Sequence, residues 1–332
     1  MRILRHLNEI GPEDRGAVVA LGNFDGFHRG HQIVVGLAAR KASEIKAPLA
    51  IFTTEPHPRQ IFQPNGRPFR LTPEAARINQ FKQFGVDILY QLSFTPELYT
   101  LTATHFVERI LCTGFGVRHV VAGYDYCFGK DRGGNVNTLR EWGEKAGFGV
   151  TVVEPVGVGV EGSAGEVYSS TLIRNALRQG EARRAAALLG HWWMVEGPVI
   201  KGDQRGRTIE FPTANLSLEE YLVPLHGVYA VRVTVDEHTF DGVANIGRRP
   251  TFDKDDVLLE AHLFDFADDL YGKSIRVELV AFIREEKKFA GLEELKTQIA
   301  RDCETARLLL NDPENASSRY PTPHRSTHQS KA

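Results

Sequence analysis

Two histidines, His28 and His31, stand three residues apart in V-V-A-L-G-N-F-D-G-F-H-R-G-H, the stretch from Val18 to His31. On a helix that spacing brings both imidazoles to one side. The glycines around them, Gly22, Gly26 and Gly30, allow positive φ and let a ligand approach the backbone, and a helix opening after the loop offers unpaired N–H groups to an anion. Three readings compete for the pair. It can be an ordinary solvated pair, or part of a zinc site, for which close Cys, His or carboxylate partners are missing. It can also donate to the charge that develops on an α-phosphate during nucleotidyl transfer. The glycine loop favours the third.

The residues around the pair say what must position it. Ala17 to Leu21 is a short apolar run suited to a strand buried on both faces, and Gln32 to Ser43 carries helical apolar spacing at Ile33, Leu37 and Ala38. The alternation continues. Pro48 to Thr53, Val86 to Leu92, Arg118 to Ala122 and Gly149 to Glu154 read as strands, and Pro73 to Phe84, Thr104 to Leu111, Val136 to Lys145 and Thr171 to Leu177 as helices. This predicts an α/β doubly wound, Rossmann-like parallel sheet, with ligands beyond the carboxyl ends of its strands.

Three more segments of this half carry polar chemistry. T-E-P-H-P-R-Q holds His57 and Arg59 between two stiffening prolines, and taken alone is a rigid loop. G-Y-D-Y-C-F-G-K-D-R-G-G-N, containing Asp125, Phe128 and Arg132, offers faces for a planar ring and a cation for phosphate, or else folds back onto the core. In Y-S-S-T-L-I-R, the residues Ser169, Ser170 and Thr171 are helix caps at the least, and Arg174 one turn later adds an anion clamp.

Beyond Gly190 the pattern changes to period-two strands with Gly, Pro and Asp turns, which predicts a small antiparallel barrel followed by a C-terminal helix. That helix has an apolar stripe at Leu292, Leu295, Ile299, Ala306 and Leu309, with Glu293, Glu294 and Lys296 towards solvent. The tail from Asp312 lacks periodicity and is expected to be disordered. Within K-G-D-Q-R-G-R-T-I-E-F-P-T-A-N-L, Gly202 and Gly206 allow close approach of phosphates, and Lys201, Arg205 and Arg207 supply charge. Thr213 and Asn215 can present hard oxygen ligands to magnesium on one side of an extended segment, although Pro-Thr-Ala-Asn is also ordinary turn chemistry. Glu260, on an otherwise apolar strand, is either a general base or a rim carboxylate paired with arginine, whereas Glu278 reads as structural.

The G-N-F-D-G-F-H-R-G-H run resembles the Gly-x-Phe-Asp-Gly-x-His-x-Gly-His signature of bacterial bifunctional riboflavin kinase/FAD synthetases. The resemblance extends through Y-S-S-T-L-I-R, F-P-T-A-N and G-V-A-N-I-G-R-R-P-T-F to about Ala306. It implies an FMN adenylyltransferase domain at 1–184, a riboflavin kinase domain at 185–311 and a tail at 312–332. It implies catalytic roles for His28, His31 and Glu260. ATP contacts follow from Gly22, Asn23, Phe24, Asp25, Gly30, Ser169, Ser170, Thr171 and Arg174 in the first half, and from Lys201, Gly202, Gly206, Arg207, Thr213 and Asn215 in the second. Flavin contacts follow from His57, Arg59, Asp125, Phe128 and Arg132, and magnesium ligation from Thr213 and Asn215. The substrates so implied are riboflavin, FMN and ATP. Two positions depart from the family pattern. Glu210 replaces the usual glycine before Phe-Pro-Thr-Ala-Asn, and Asn135 replaces a common aspartate.

Composition agrees with this class. The 332 residues predict two domains, and 40 Lys plus Arg against 42 Asp plus Glu, a net charge of -2, leave no general nucleic-acid footprint. Cys112, Cys127 and Cys303 are too scattered for a disulfide framework or a metal motif and read as core thiols. Neither an N-terminal apolar h-region nor eighteen unbroken apolar residues occur, so a cytoplasmic protein without a membrane span is expected. A homo-oligomer is neither required nor excluded.

Overall fold

Runs that are apolar on both faces become the strands of a parallel sheet. The computed structural model describes residues 1–158, 165–200, 211–251 and 254–316, with backbone alone at 249–251 and 254–256. The described residues separate into two units, 1–66 with 77–168, and 67–76 with 169 onward.

In chain order the first unit contains β1 (Arg2–Leu4), β2 (Val18–Leu21), α1 (Arg29–Glu44), β3 (Leu49–Glu55) and α2 (Pro58–Phe62). There follow α3 (Glu74–Gln83, whose first residues group with the second unit), β4 (Ile88–Ser93), α4 (Pro96–Tyr99), α5 (Ala103–Phe106), β5 (His119–Gly123), α6 (Val136–Ala146) and β6 (Gly149–Val153). The strands form one sheet in the order β1-β4-β3-β2-β5-β6, parallel throughout. One face packs Val19, Leu21, Phe52 and Tyr90 against Phe106, Ile110 and Phe115. The other packs Val18, Ala20, Ile51 and Leu89 against Val35 and Ala38 of α1 and Ile78 and Phe81 of α3. From β2 the chain steps to β3 on one side, and β5 lies on the other, so the order reverses beside β2. At such a reversal open α/β sheets bind ligands beyond the carboxyl ends of the strands, here those of β2 and β5.

Some elements differ from the sequence reading. The T-E-P-H-P-R-Q stretch, expected as a rigid loop, includes the start of α2, because proline is tolerated in a first helical turn. The helix expected at 104–111 starts as α5 and runs on in π geometry over Val107–Phe115. The edge strand β1 is too short to show a period.

The second unit contains α7 (Ser170–Arg178), α8 (Ala182–Leu189), β7 (Trp193–Pro198), β8 (Ala214–Ser217), β9 (Gly227–Val235), β10 (His238–Thr251), β11 (Lys254–Leu263), β12 (Ser274–Arg284) and α9 (Leu292–Asn311). Its antiparallel sheet runs β7-β12-β9-β10-β11-β8, and a bridge between Ile200 and Asn215 joins the two edges into a barrel. α9 packs through Ala306 and Leu310 on Val228, Val243 and Val280. Its expected stripe is displaced at the N-terminal end. Leu292 is 53% exposed, and the buried line runs through Asp302, whose carboxylate accepts a bidentate pair from Arg284 at 2.7 and 3.0 Å.

Order also extends past Asp312. Asn315 is buried in a 3-10 turn, and its carbonyl accepts from Arg232 at 2.5 Å; residues 317–332 lie outside the described residues. The three cysteines are free and partly buried, and Cys112 and Cys303 pack against core side chains as expected of core thiols.

Glu278 on β12 behaves as a structural carboxylate. Burial pushes its carboxyl above the ordinary range, and Arg276 and Arg232 pull it only partly back. A raised folded pKa stabilises the fold only while the group is protonated, so this contribution is present at low pH and is lost as pH rises through the folded value. Glu278→Gln should therefore match wild-type stability near pH 4 and exceed it near pH 8, as measured by melting followed by circular dichroism. An equal difference at both pH values would refute the assignment.

Candidate active site

The loop after β2 holds its shape by burying aromatic rings. Phe24 (φ 51) and Phe27 (φ 40) lie in the left-handed region, along with Gly26 (φ 85), and both phenylalanines are fully buried. Such backbone is unfavourable for bulky residues unless the surroundings dictate it. Here Phe81 meets both rings edge-on and Phe84 meets Phe27. The expectation that the glycines supply positive φ holds for Gly26 alone. Gly22 and Gly30 serve instead as spaces: a Cβ at Gly22 would meet the Phe24 ring at 3.0 Å, and one at Gly30 would meet His28 at 3.1 Å and Tyr168 at 3.2 Å.

His28 caps α1. Its Nδ1 accepts the His31 backbone N–H at 3.3 Å, so the neutral ring carries its proton on Nε2 and presents a donor there. The two imidazoles stack with centroids 3.6 Å apart, and Phe24 meets His31 edge-on at 5.2 Å. His28 and Asp25 are buried, whereas the Asn23 side chain is exposed. Two imidazoles at a helix N-terminus, beyond the carboxyl end of β2, are an arrangement whose chemistry suits an anion such as a phosphate.

The flavin candidates separate into groups. His57 caps α2, its Nδ1 accepting from the Arg59 N–H at 3.1 Å, and the Arg59 side chain is exposed and bonds Gln63. After β5, Asp125 and Arg132 are exposed, but Phe128 is 6% exposed and packs into the core against Phe106 at 5.1 Å. Its ring faces are therefore occupied by the fold. Exposed aromatic surface in this loop comes from Tyr124, 44% exposed, and more lies elsewhere in the unit. Phe62, 63% exposed, forms a mutual cluster with Phe94 and Tyr99 at 5.4 to 5.8 Å, beyond the carboxyl ends of β3 and β4. Sequence reasoning missed this cluster, because Phe62 is far along the chain from the stretch that carries Phe94 and Tyr99.

Asn135 is an N-cap for α6, accepting from the N–H groups of Asn137 and Thr138 at 2.9 and 3.3 Å. Asparagine and aspartate cap about equally well, which explains why either serves there. Asn135→Asp should leave stability unchanged, while Asn135→Ala should cost about 1 kcal/mol in denaturant unfolding. A large loss from the aspartate variant would show that the amide has a further role.

Ser169, Ser170, Thr171 and Arg174 belong to the second unit. Ser169 caps α7 through the Leu172 N–H, Ser170 and Thr171 open the helix, and Arg174 donates from Nε to the Phe69 carbonyl at 2.8 Å.

In the barrel, antiparallel register assembles what the sequence scatters. Glu260 on β11 lies directly opposite Asn215 on β8 and, on its other side, opposite Asn245 on β10. These three polar residues form a row across adjacent strands, and the neighbouring row, Leu216, Leu259 and Ile246, is wholly buried on the opposite face. Asn245 was not singled out from sequence, although it lies within the quoted G-V-A-N-I-G. His262 Nδ1 donates to the Pro212 carbonyl at 2.9 Å, which fixes the chain entering Thr213. Hydroxyl, amide and carboxylate oxygens are hard donors, and a set made of them fits magnesium. Lys201, Gly202, Arg205, Gly206, Arg207 and Glu210 lie outside the described residues.

Two family models match the chain, FAD synthetase over residues 10–170 and riboflavin kinase over 189–310. Among curated proteins, a bifunctional riboflavin kinase/FMN adenylyltransferase from Pseudomonas fluorescens is 41% identical over 93% of this chain and 98% of its own. One from Bacillus subtilis is 40% identical over 90% and 93%. A crystal structure described as a macrolide-efflux protein from Streptococcus pneumoniae superposes with TM-score 0.80 at 32% identity, over 92% of this chain and 98% of that one. No helix among the described residues is long and apolar enough to cross a membrane. With a parallel sheet carrying the paired histidines, a barrel carrying the Asn215–Glu260 row, and both matches in the same order, the chain belongs to the bifunctional riboflavin kinase/FMN adenylyltransferase family.

Proposed function

We propose that the chain makes FAD from riboflavin in two transfers, with 185–311 as the kinase and 1–184 as the adenylyltransferase. In the first, the ribityl 5′-hydroxyl attacks the γ-phosphorus of ATP, forming a new O–P bond as ADP leaves. Glu260 accepts the hydroxyl proton, and Asn215 and Asn245 hold it in line from either side. In the second, an FMN phosphate oxygen attacks the α-phosphorus of another ATP and pyrophosphate departs. His28 and His31 donate to the charge that builds on the α-phosphate, and the N-terminus of α1 adds its partial positive charge. The flavin ring rests on the Phe62, Phe94 and Tyr99 cluster, with His57 and Arg59 towards its phosphate. Magnesium on Thr213 and Asn215 supplies charge neutralisation for the nucleotide phosphates when bound.

The observation that carries this reading is the pairing of Glu260 with Asn215, which brings two residues scattered in sequence together as one candidate phosphoryl-transfer site in the barrel. The same reading places this work on dissolved flavins in the cytoplasm. The test is incubation with riboflavin, ATP and magnesium, followed by chromatographic separation of the flavins. FMN should form first and FAD after it, and chelating the magnesium should stop both. If folded protein produces neither, the reading fails.

A further inference from the structure

The loop that leads through His28 into the first turn of α1, where His31 stands, is gripped from beneath. The carbonyl of Asn23 turns inward and accepts from Arg77 Nη1 at 3.0 Å and from Thr53 Oγ1 at 3.5 Å, while the Asn23 side chain faces outward. The other terminal nitrogen of the same guanidinium, Nη2, lies 2.6 Å from Glu55 Oε2. The Arg77 side chain is 1% exposed and that of Glu55 20%. Glu55 ends β3, two residues before His57, so one guanidinium ties the chain leaving β2 to the chain leaving β3. Arg77 shares α3 with Phe81, whose ring contacts hold Phe24 and Phe27 in their left-handed backbone.

Burying an ion pair costs desolvation that its attraction only partly repays, so the pair is weak evidence for stability alone. Its forked geometry accounts for something else, a defined position of one backbone carbonyl in a strained loop. We propose that Arg77, oriented by Glu55, is a positioning residue for adenylyl transfer: it sets the height of the Gly22–His28 loop that leads into α1, and so the reach of the two imidazoles towards the α-phosphate. The proposal rests on the adenylyltransferase reading of this unit. Arg77 meets neither substrate; it acts through Asn23.

Two variants test it. Arg77→Lys keeps the charge facing Glu55 but replaces the planar fork with a point charge. The double variant Arg77→Gln/Glu55→Gln removes both charges, so that no uncompensated ion is left buried should the single exchange fold poorly. Rates are taken at a temperature where circular dichroism shows the variants fully folded, with riboflavin phosphorylation as a control on the same chain. A misplacement of about 1 Å costs roughly a hundredfold, so kcat for FMN adenylylation should fall by about that factor, with the KM for ATP changed by no more than about twofold. The reverse reaction, from FAD and pyrophosphate, should slow by the same factor. Folded variants with wild-type kcat, or losses that track only the unfolded fraction, would overturn the proposal and leave the pair purely structural. Wild-type protein that forms no FAD from FMN would overturn the functional reading beneath it, which is a distinguishable result.

Discussion

Removing the Nε2–H donor of His28 is expected to slow FMN adenylylation by roughly a hundredfold to a thousandfold, about 2.7–4 kcal/mol of barrier for one preorganised donor. The design of the variant matters, because the same ring caps α1 through Nδ1. His28→Ala would remove both functions, and losing a cap costs about 1 kcal/mol of stability by itself. His28→Asn separates them: the amide oxygen can still accept the His31 N–H, but no donor remains at the Nε2 position. The asparagine variant should melt like wild type and still lose adenylylation. His31→Ala should show a comparable loss, since it removes the second imidazole and the 3.6 Å stack that orients the first. Riboflavin phosphorylation should persist in both. If either histidine variant lost kinase activity as fully as adenylylation, separate sites would be untenable.

Glu260→Gln is expected to lower riboflavin phosphorylation by roughly 10²–10⁴-fold, the usual contribution of a positioned base. Glutamine preserves the shape of the row between Asn215 and Asn245, so the change isolates proton acceptance from packing. FMN supplied from outside should still become FAD at the wild-type rate. Asn245→Ala should lie between wild type and Glu260→Gln, with kcat affected more than the KM for riboflavin, because it orients the carboxylate. Measuring both half-reactions on each variant decides the matter. A fully active Glu260→Gln would return that carboxylate to the role of a rim residue.

Local patterns were enough to reveal most of the elements, and with the signature motifs they pointed to the reaction classes. The run Ala17 to Leu21 reads as a doubly buried strand, because an apolar pentapeptide needs no knowledge of its neighbours, and β2 occupies Val18–Leu21. The His28–His31 pair, the caps before α7 and the change to period-two strands after Gly190 are legible for the same reason: they depend on residues within a turn or a strand of one another. Contacts across long stretches of chain are not encoded in any short window. Only pairing in three dimensions put the order reversal beside β2 and brought Glu260 opposite Asn215, 45 residues away in sequence. Packing gave Gly22 and Gly30 the task of making room for rings, while Phe24 and Phe27 took the left-handed backbone that glycine would be expected to occupy. It also withdrew Phe128 into the core, left Phe62 exposed, and set Arg77 between Asn23 and Glu55. In each case the deciding quantity is which distant side chain fills a given volume or satisfies a given buried polar atom, and that is settled when the layers close on one another.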